Sequence, residues 1–206
     1  MVQQFIQPVQ ARSRKSFEKM VSAGAELIRR SPDGSFSIQE LAKLSGTSVG
    51  AIYQRFGNKE TASVVIHSAI LDRMDEEAAA LFAPGDALTP EQAVEEAVRR
   101  FCQHTSTHRD VLRGMVMQGE ALPESRARGL ESSRRIGQLF HGFLAHYLGP
   151  DPARHEMVFR MVYGLVWRQI FEDEGNEYVV PLTAEAVIAE TAEMARRYLL
   201  DGPGAR

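Results

Sequence analysis

The sequence predicts an all-α protein, and three features carry that prediction. Apolar residues recur at helical spacing in nearly every segment, and no stretch alternates with the two-residue period of a half-buried strand. Capping and turn signals punctuate the chain where one helix should stop and the next begin. Third, 206 residues with 44% apolar and 25% charged side chains suit one large domain, or one small and one medium domain, with a packed core.

The first helix is expected from about Ala11 to Arg30. Phe17, Met20, Val21, Gly24, Leu27 and Ile28 fall on one face. Ser31-Pro32-Asp33-Gly34 ends it, because proline cannot continue a helix and Asp-Gly favours a turn. Ser37-Ile38-Gln39-Glu40 reads as a capping box opening a short helix whose buried side is Ile38, Leu41 and Ala42. Gly46 supplies the left-handed position that closes it. A second short helix follows from about Ser48, with Val49, Ile52, Tyr53 and Phe56 apolar. Gly57 breaks it, and Asn58 can cap a longer helix reaching about Phe82.

Pro84-Gly85-Asp86 is the clearest break in composition, and five helices should follow. Thr89-Pro90 opens one running to about Ser106, with threonine as cap and proline in the first turn. A shorter one runs from Arg109 to about Gly119. Pro123-Glu124-Ser125 opens a long one ending near Leu148, with Ile136, Leu139, Phe140, Phe143, Leu144 and Tyr147 on one side. Asp151-Pro152 opens the next, to about Phe171. Thr183 caps the last, to about Leu200. There are no internal repeats and no low-complexity tracts.

The net charge of −3 argues against a polycation that coats nucleic acid, but the distribution is uneven. Residues 1–60 hold nine basic against five acidic side chains, a balance of +4 that leaves −7 for the remainder. A basic first segment on an acidic body fits a small nucleic-acid-binding head on a larger partner-binding domain. We therefore expect a head over residues 1–60 and a C-terminal domain over residues 61–206. Cys102 is the only cysteine, so no internal disulfide is possible and a reducing cytoplasm suits the chain. The opening MVQQFIQPVQARSRKS lacks the apolar run of a signal peptide. No stretch of about 18 apolar residues suggests a membrane span.

The segment Ser37–Phe56 has the layout of a helix-turn-helix: a short capped helix, a glycine turn and a second short helix that could enter the major groove. On the second helix, Val49 or Ile52, with Phe56, should face inward. Ser48, Gly50, Ala51, Gln54 and Arg55 should face outward, small or polar enough to approach base edges. Lys59 begins the following helix, where its charge and the helix N-terminus both attract phosphate. Arg12, Arg14 and Lys15 read equally as a DNA-contacting arm or as a solvated tail.

These residues resemble the tetracycline-repressor (TetR) family of regulators. The resemblance rests on Glu40-Leu41-Ala42, Ser45-Gly46-Thr47-Ser48, Val49-Gly50-Ala51-Ile52-Tyr53, Phe56 and Asn58-Lys59-Glu60, and it covers about residues 11–75. It implies that Tyr53, Lys59 and Ser37 touch DNA phosphates, with Ser48, Val49, Gly50, Gln54 and Arg55 at or near the bases. Two positions depart from the family pattern. Ala51 stands where threonine is frequent, which removes a hydroxyl contact, and Thr47 replaces a usual valine in the turn.

The resemblance also implies a C-terminal helical bundle that binds a small effector and dimerises through its last two helices, a repressor habit, and a palindromic double-stranded operator read by the homodimer. The sequence permits this independently. The helix from Pro152 is apolar nearly all round, with Met157, Val158, Phe159, Met161, Val162, Tyr163, Leu165, Val166, Trp167, Ile170 and Phe171, so several of its sides must be covered. The last helix carries a stripe of Val187, Ile188, Thr191, Met194, Ala195, Tyr198 and Leu199. Two such helices from each of two subunits make a four-helix interface. Phe101, Met115, Met117, Phe140, Phe143, Tyr163 and Trp167 could line a pocket for a hydrophobic effector. The competing reading is a helical dimer that binds a small molecule or protein without specific DNA binding.

Catalytic patterns are absent from the sequence: no G-x-S-x-G, P-loop or G-x-G-x-x-G occurs, so no enzymatic activity and no cofactor are expected. Glu95 and Glu96 lack the E-x-x-H partner of a di-iron bundle. His104 and His108 are spaced to share a metal, but Cys102 lies off their face and no glutamate completes an H-E-x-x-H, so no metal is expected.

Overall fold

Most helices begin where a side chain accepts from a backbone N–H of the first turn. In the computed structural model, which describes residues 11–85, 87–119, 121–171, 180 and 182–201, the order is α1 (Ala11–Arg30), α2 (Ile38–Ser45), α3 (Val49–Phe56), α4 (Lys59–Leu81), α5 (Pro90–Thr107), α6 (Arg109–Met117), α7 (Pro123–Leu148), α8 (Pro152–Phe171) and α9 (Ala184–Arg196). Among the described residues there is no strand. The caps read from the sequence are present. Ser37 closes a full capping box with Glu40, Thr89 closes another with Gln92, and Ser48 and Thr183 accept from Ala51 and Ala186. The Asn58 side chain accepts from the Thr61 amide at 2.7 Å. The final helix ends earlier than its apolar stripe suggests: α9 stops at Arg196 and the chain continues as a π-type turn, Arg197–Asp201. Asp86, the N-terminal tail and the side chains of Arg12 and Phe171 lie outside the described residues.

The chain divides into two compact units. One runs through Met74 and takes in Asp110–Ser132; the other comprises Asp75–Arg109 and the described residues from Ser133 on. The described part of the expected 1–60 segment lies within the first unit, whose core draws on more of the chain. Met20, Val21, Ile28, Leu41, Ile52 and Phe56 are joined by Ile66, Leu71 and Met74 of α4 and by Val111 and Met115 of α6. Burying an aliphatic side chain of this kind contributes about 1.5–3 kcal/mol.

Two backbone features fix the first unit. Asp33 accepts from Ser31 Oγ and from the Ser35 amide, and these bonds hold its carboxyl down to about 2. The next residue, Gly34, has φ +71°, and its α-carbon lies against the Gly114 backbone of α6. A β-carbon on Gly34 would collide with the Gly114 carbonyl, and one on Gly114 would stand 2.7 Å from Ile28 Cγ2. Glycine at both positions therefore lets α6 press onto the α1–α2 turn. Beside this core His67 is fully buried, with Nδ1 3.0 Å from Ser125 Oγ and Nε2 without a partner. Burial pushes its imidazole down to about 4.

The second unit is aromatic. Phe82, Phe101, Phe140 and Phe143 are buried with Val94, Val98, Leu144, Val158 and Val162. The rings meet edge to face: Phe82–Phe140, Phe82–Phe143 and Phe101–Phe140 have centroids 6.0, 6.1 and 6.3 Å apart. Such pairs add about 0.5–1.5 kcal/mol each beyond the area they bury. Cys102 sits in the same core, where burial raises its thiol to about 11, out of the range of a nucleophile. His104 Nε2 is buried here without a hydrogen-bond partner, a situation that costs about 1–3 kcal/mol.

Candidate nucleic-acid interface

α2 is closed at both ends by side-chain and backbone geometry. Ser37 (φ −95°, ψ 157°) accepts from the Glu40 amide at 3.2 Å, and Glu40 Oε2 accepts from the Ser37 amide at 2.8 Å and from its hydroxyl at 2.7 Å. The hydroxyl bond first, then the amide bond, holds the Glu40 carboxyl below its ordinary value. At the other end Gly46 adopts φ 66°, ψ 31°, and the Thr47 amide bonds back to the Ala42 carbonyl at 3.0 Å. That left-handed residue turns the chain directly into Ser48, the cap of α3.

α3 buries Ile52 and Phe56 completely and leans Val49 on the same core. This settles which of the apolar residues face inward. Ser48, Gly50, Tyr53 and Gln54 are exposed, with Tyr53 at 45%. Gly50, Tyr53 and Gln54 stand at i, i+3 and i+4, so they share a face. A β-carbon on Gly50 would meet nothing within 4 Å. Lys59 is exposed at the first residue of α4, beside the Asn58 cap, and exposed Arg14 and Lys15 lie near the start of α1. The arrangement is a rigid capped helix offering a flat, uncharged ridge flanked by cations, which suits a nucleic-acid groove between phosphates.

Arg55 is placed differently from the sequence expectation of an outward residue. It is half-buried, donates to Ser13 Oγ at 2.7 Å and lies over the Phe17 ring at 5.9 Å. Phe17 in turn meets Phe56 at 6.5 Å. The last turn of α3 therefore directs Arg55 toward α1, a partnership spanning 42 positions that no local pattern announces.

Of the residues expected around an effector, Phe101, Phe140 and Phe143 are together in the core of the second unit, with Tyr163 packed against them. Trp167 stacks on Tyr163 at 5.4 Å. Phe159, not singled out beforehand, is central: its ring lies 5.5 Å from both Phe101 and Phe140. The two methionines do not join the group. Met115 belongs to the core of the first unit, because the apolar side of α6 (Val111, Leu112, Met115) faces that core, and Met117 is exposed. On the last two helices, Met157, Met194 and Tyr198 are 57%, 49% and 43% exposed, while Thr191, Ala195 and Leu199 turn inward.

The two short capped helices and the left-handed Gly46 between them form a helix-turn-helix. Residues 21–61 match the family described as "Bacterial regulatory proteins, tetR family". The same fold occurs in solved structures at low identity. A tetR-family transcriptional regulator from Mesorhizobium loti matches with TM-score 0.75 and 16% identity over 93% of this chain and 98% of its own. GusR of Salmonella enterica matches with TM-score 0.65 and 16% identity over 94% and 99%. The fatty acid degradation regulator FadR of Bacillus halodurans matches with TM-score 0.61 and 15% identity over 87% and 94%. No curated protein matches by sequence. The helix-turn-helix segment is thus of the tetR-family type, and the fold around it is shared with these solved structures. Among the described residues, no helix is long and apolar enough to cross a membrane.

Proposed function

We propose that the protein is a cytoplasmic, non-enzymatic repressor that binds a palindromic operator as a homodimer and is released by a small apolar effector. The observation that carries the DNA half is the exposed ridge of Ser48, Gly50, Tyr53 and Gln54 on a helix held by caps at both ends. Ser48, Val49, Gly50 and Gln54 approach base edges. Tyr53 and Lys59 contact phosphates, and Ser37 does so by trading its bond to Glu40. Arg55 reaches DNA by exchanging its Ser13 partner for a DNA acceptor.

The working division places DNA contact in residues 1–60 and control in residues 61–206. The outward Met157, Met194 and Tyr198 support dimerisation through α8 and α9. The ring cluster of Phe101, Phe140, Phe143, Tyr163 and Trp167 supports an apolar effector, which must prefer one of two conformations to shift operator affinity.

A fluorescence-anisotropy titration of the DNA upstream of the protein's own gene tests the reading. A dimer making about 6–10 phosphate contacts should lose about 10³–10⁵ in affinity between roughly 50 and 200 mM salt. Arg55→Ala should change the preference among operator variants, whereas Lys59→Ala should weaken all DNA alike. Flat salt dependence, or equal affinity for every duplex, would refute specific operator binding.

A further inference from the structure

Three side chains of the second unit that DNA binding does not use stand together. Glu77 is on α4, His104 is in the last turn of α5, and His108 is the C-cap of that helix. Each offers one ligand atom, and these atoms all lie within 4.8 Å of one another. His108 Nε2 is 2.8 Å from Glu77 Oε2, and the two imidazole rings meet edge to face with centroids 5.0 Å apart. His104 is 6% exposed, and its Nε2 has no hydrogen-bond partner.

We propose that Glu77, His104 and His108 form a binding site for a divalent transition-metal ion, Zn²⁺ above all, with water completing the coordination. Two imidazoles and one carboxylate are the donor set such ions prefer, whereas Mg²⁺ and Ca²⁺ prefer oxygen alone. The i, i+4 spacing brings both histidines to one side of α5. Zinc bonds of about 2.0–2.2 Å set neighbouring ligand atoms roughly 3.5 Å apart. The cluster therefore needs to tighten by about an ångström at its widest, and Glu77, whose side chain is 57% exposed, is free to make that adjustment.

The electrostatics agree. Burial, with His108 adding to it, lowers His104 below the ordinary imidazole value. Glu77 and the buried Asp75 of the same helix both place negative charge near it. In this site the metal replaces the proton between His108 and Glu77 and engages the imidazole of His104.

The test uses the full chain, stripped of metal by chelation and titrated with ZnCl₂ by calorimetry, and with Co²⁺ by visible absorption. Saturable binding at one equivalent per chain, a cobalt band typical of nitrogen and oxygen ligands, and a melting midpoint raised by several degrees are expected. Glu77→Gln should weaken binding about tenfold or more, and His108→Ala should abolish the cobalt band. Both positions are at least partly exposed, so circular dichroism should show both variants folded even if His104→Ala is not. No saturable Zn²⁺ binding by the wild type would overturn the proposal. So would affinity unchanged in the Glu77→Gln/His108→Ala double variant, which would place the ion elsewhere, for instance at His141, His155 and Glu156. DNA takes no part in these measurements, so their outcome is separate from that of operator binding.

Discussion

The two compact units solve the same problem, holding short helices together, by different means. The first relies on close backbone fit and local hydrogen bonds: a capping box at Ser37, a left-handed Gly46, and glycines at 34 and 114 that leave no room between α6 and the α1–α2 turn. The second relies on mass, with buried phenylalanines meeting edge to face around Phe140. A unit built on fit should be sensitive to single atoms added. A unit built on mass should be sensitive to rings removed and tolerant of small additions at its rim.

Four experiments test that contrast, in order of expected effect. Phe140→Ala should cost about 3–5 kcal/mol, read from the urea midpoint of Trp167 fluorescence, since the sole tryptophan stacks within the aromatic unit. A loss under about 1 kcal/mol would mean that the neighbouring rings collapse into the gap and that the unit is more plastic than its packing implies.

The second concerns pH. His67 has a folded value of about 4 against an ordinary 6.5. Above 6.5 both states are neutral and the group contributes nothing to pH dependence. As pH falls from 6.5 toward 4 the unfolded chain binds the proton first, so stability declines, by roughly 3 kcal/mol at most. Chemical denaturation at stepped pH should show this slope, and His67→Gln should flatten it.

Third, Gly34→Ala should cost about 2–3 kcal/mol, because the added methyl meets backbone that cannot swing aside and the residue keeps a positive φ. Thermal melts followed by circular dichroism would register it. An effect below about 0.5 kcal/mol would show that α6 is not pressed onto the turn. Last, Ser37→Ala removes one cap and should cost about 1 kcal/mol, read in the same melts.

The contrast also explains what the sequence made legible. Helix starts at Ser37, Ser48, Asn58, Thr89 and Thr183 were readable because capping is a matter of residues three apart. The inward side of α3 was readable for the same reason. What escaped were partnerships made across the chain. Arg55 reads as an outward residue, yet in the DNA-free chain it is half-buried against Ser13 and Phe17 of α1. Met115 looked like a pocket residue because its type suits one, yet α6 turns it into the core of the first unit. His104 and His108 have no third ligand on their own helix, and in the site proposed above it comes from Glu77 of α4, about 30 residues away, where no local pattern could pair it with them.

Gly50 occupies a helix position where alanine would be more stable by about 0.5–1 kcal/mol, and the fold leaves open space around it. Among the described residues nothing forbids a side chain there. Position 50 is in that sense unowned by the protein: its occupant can be exchanged without disturbing any core, and any price falls on the surface that α3 meets. In the DNA complex proposed above, a set of variants at this one residue would measure the depth and shape of the groove, with the protein serving as a caliper.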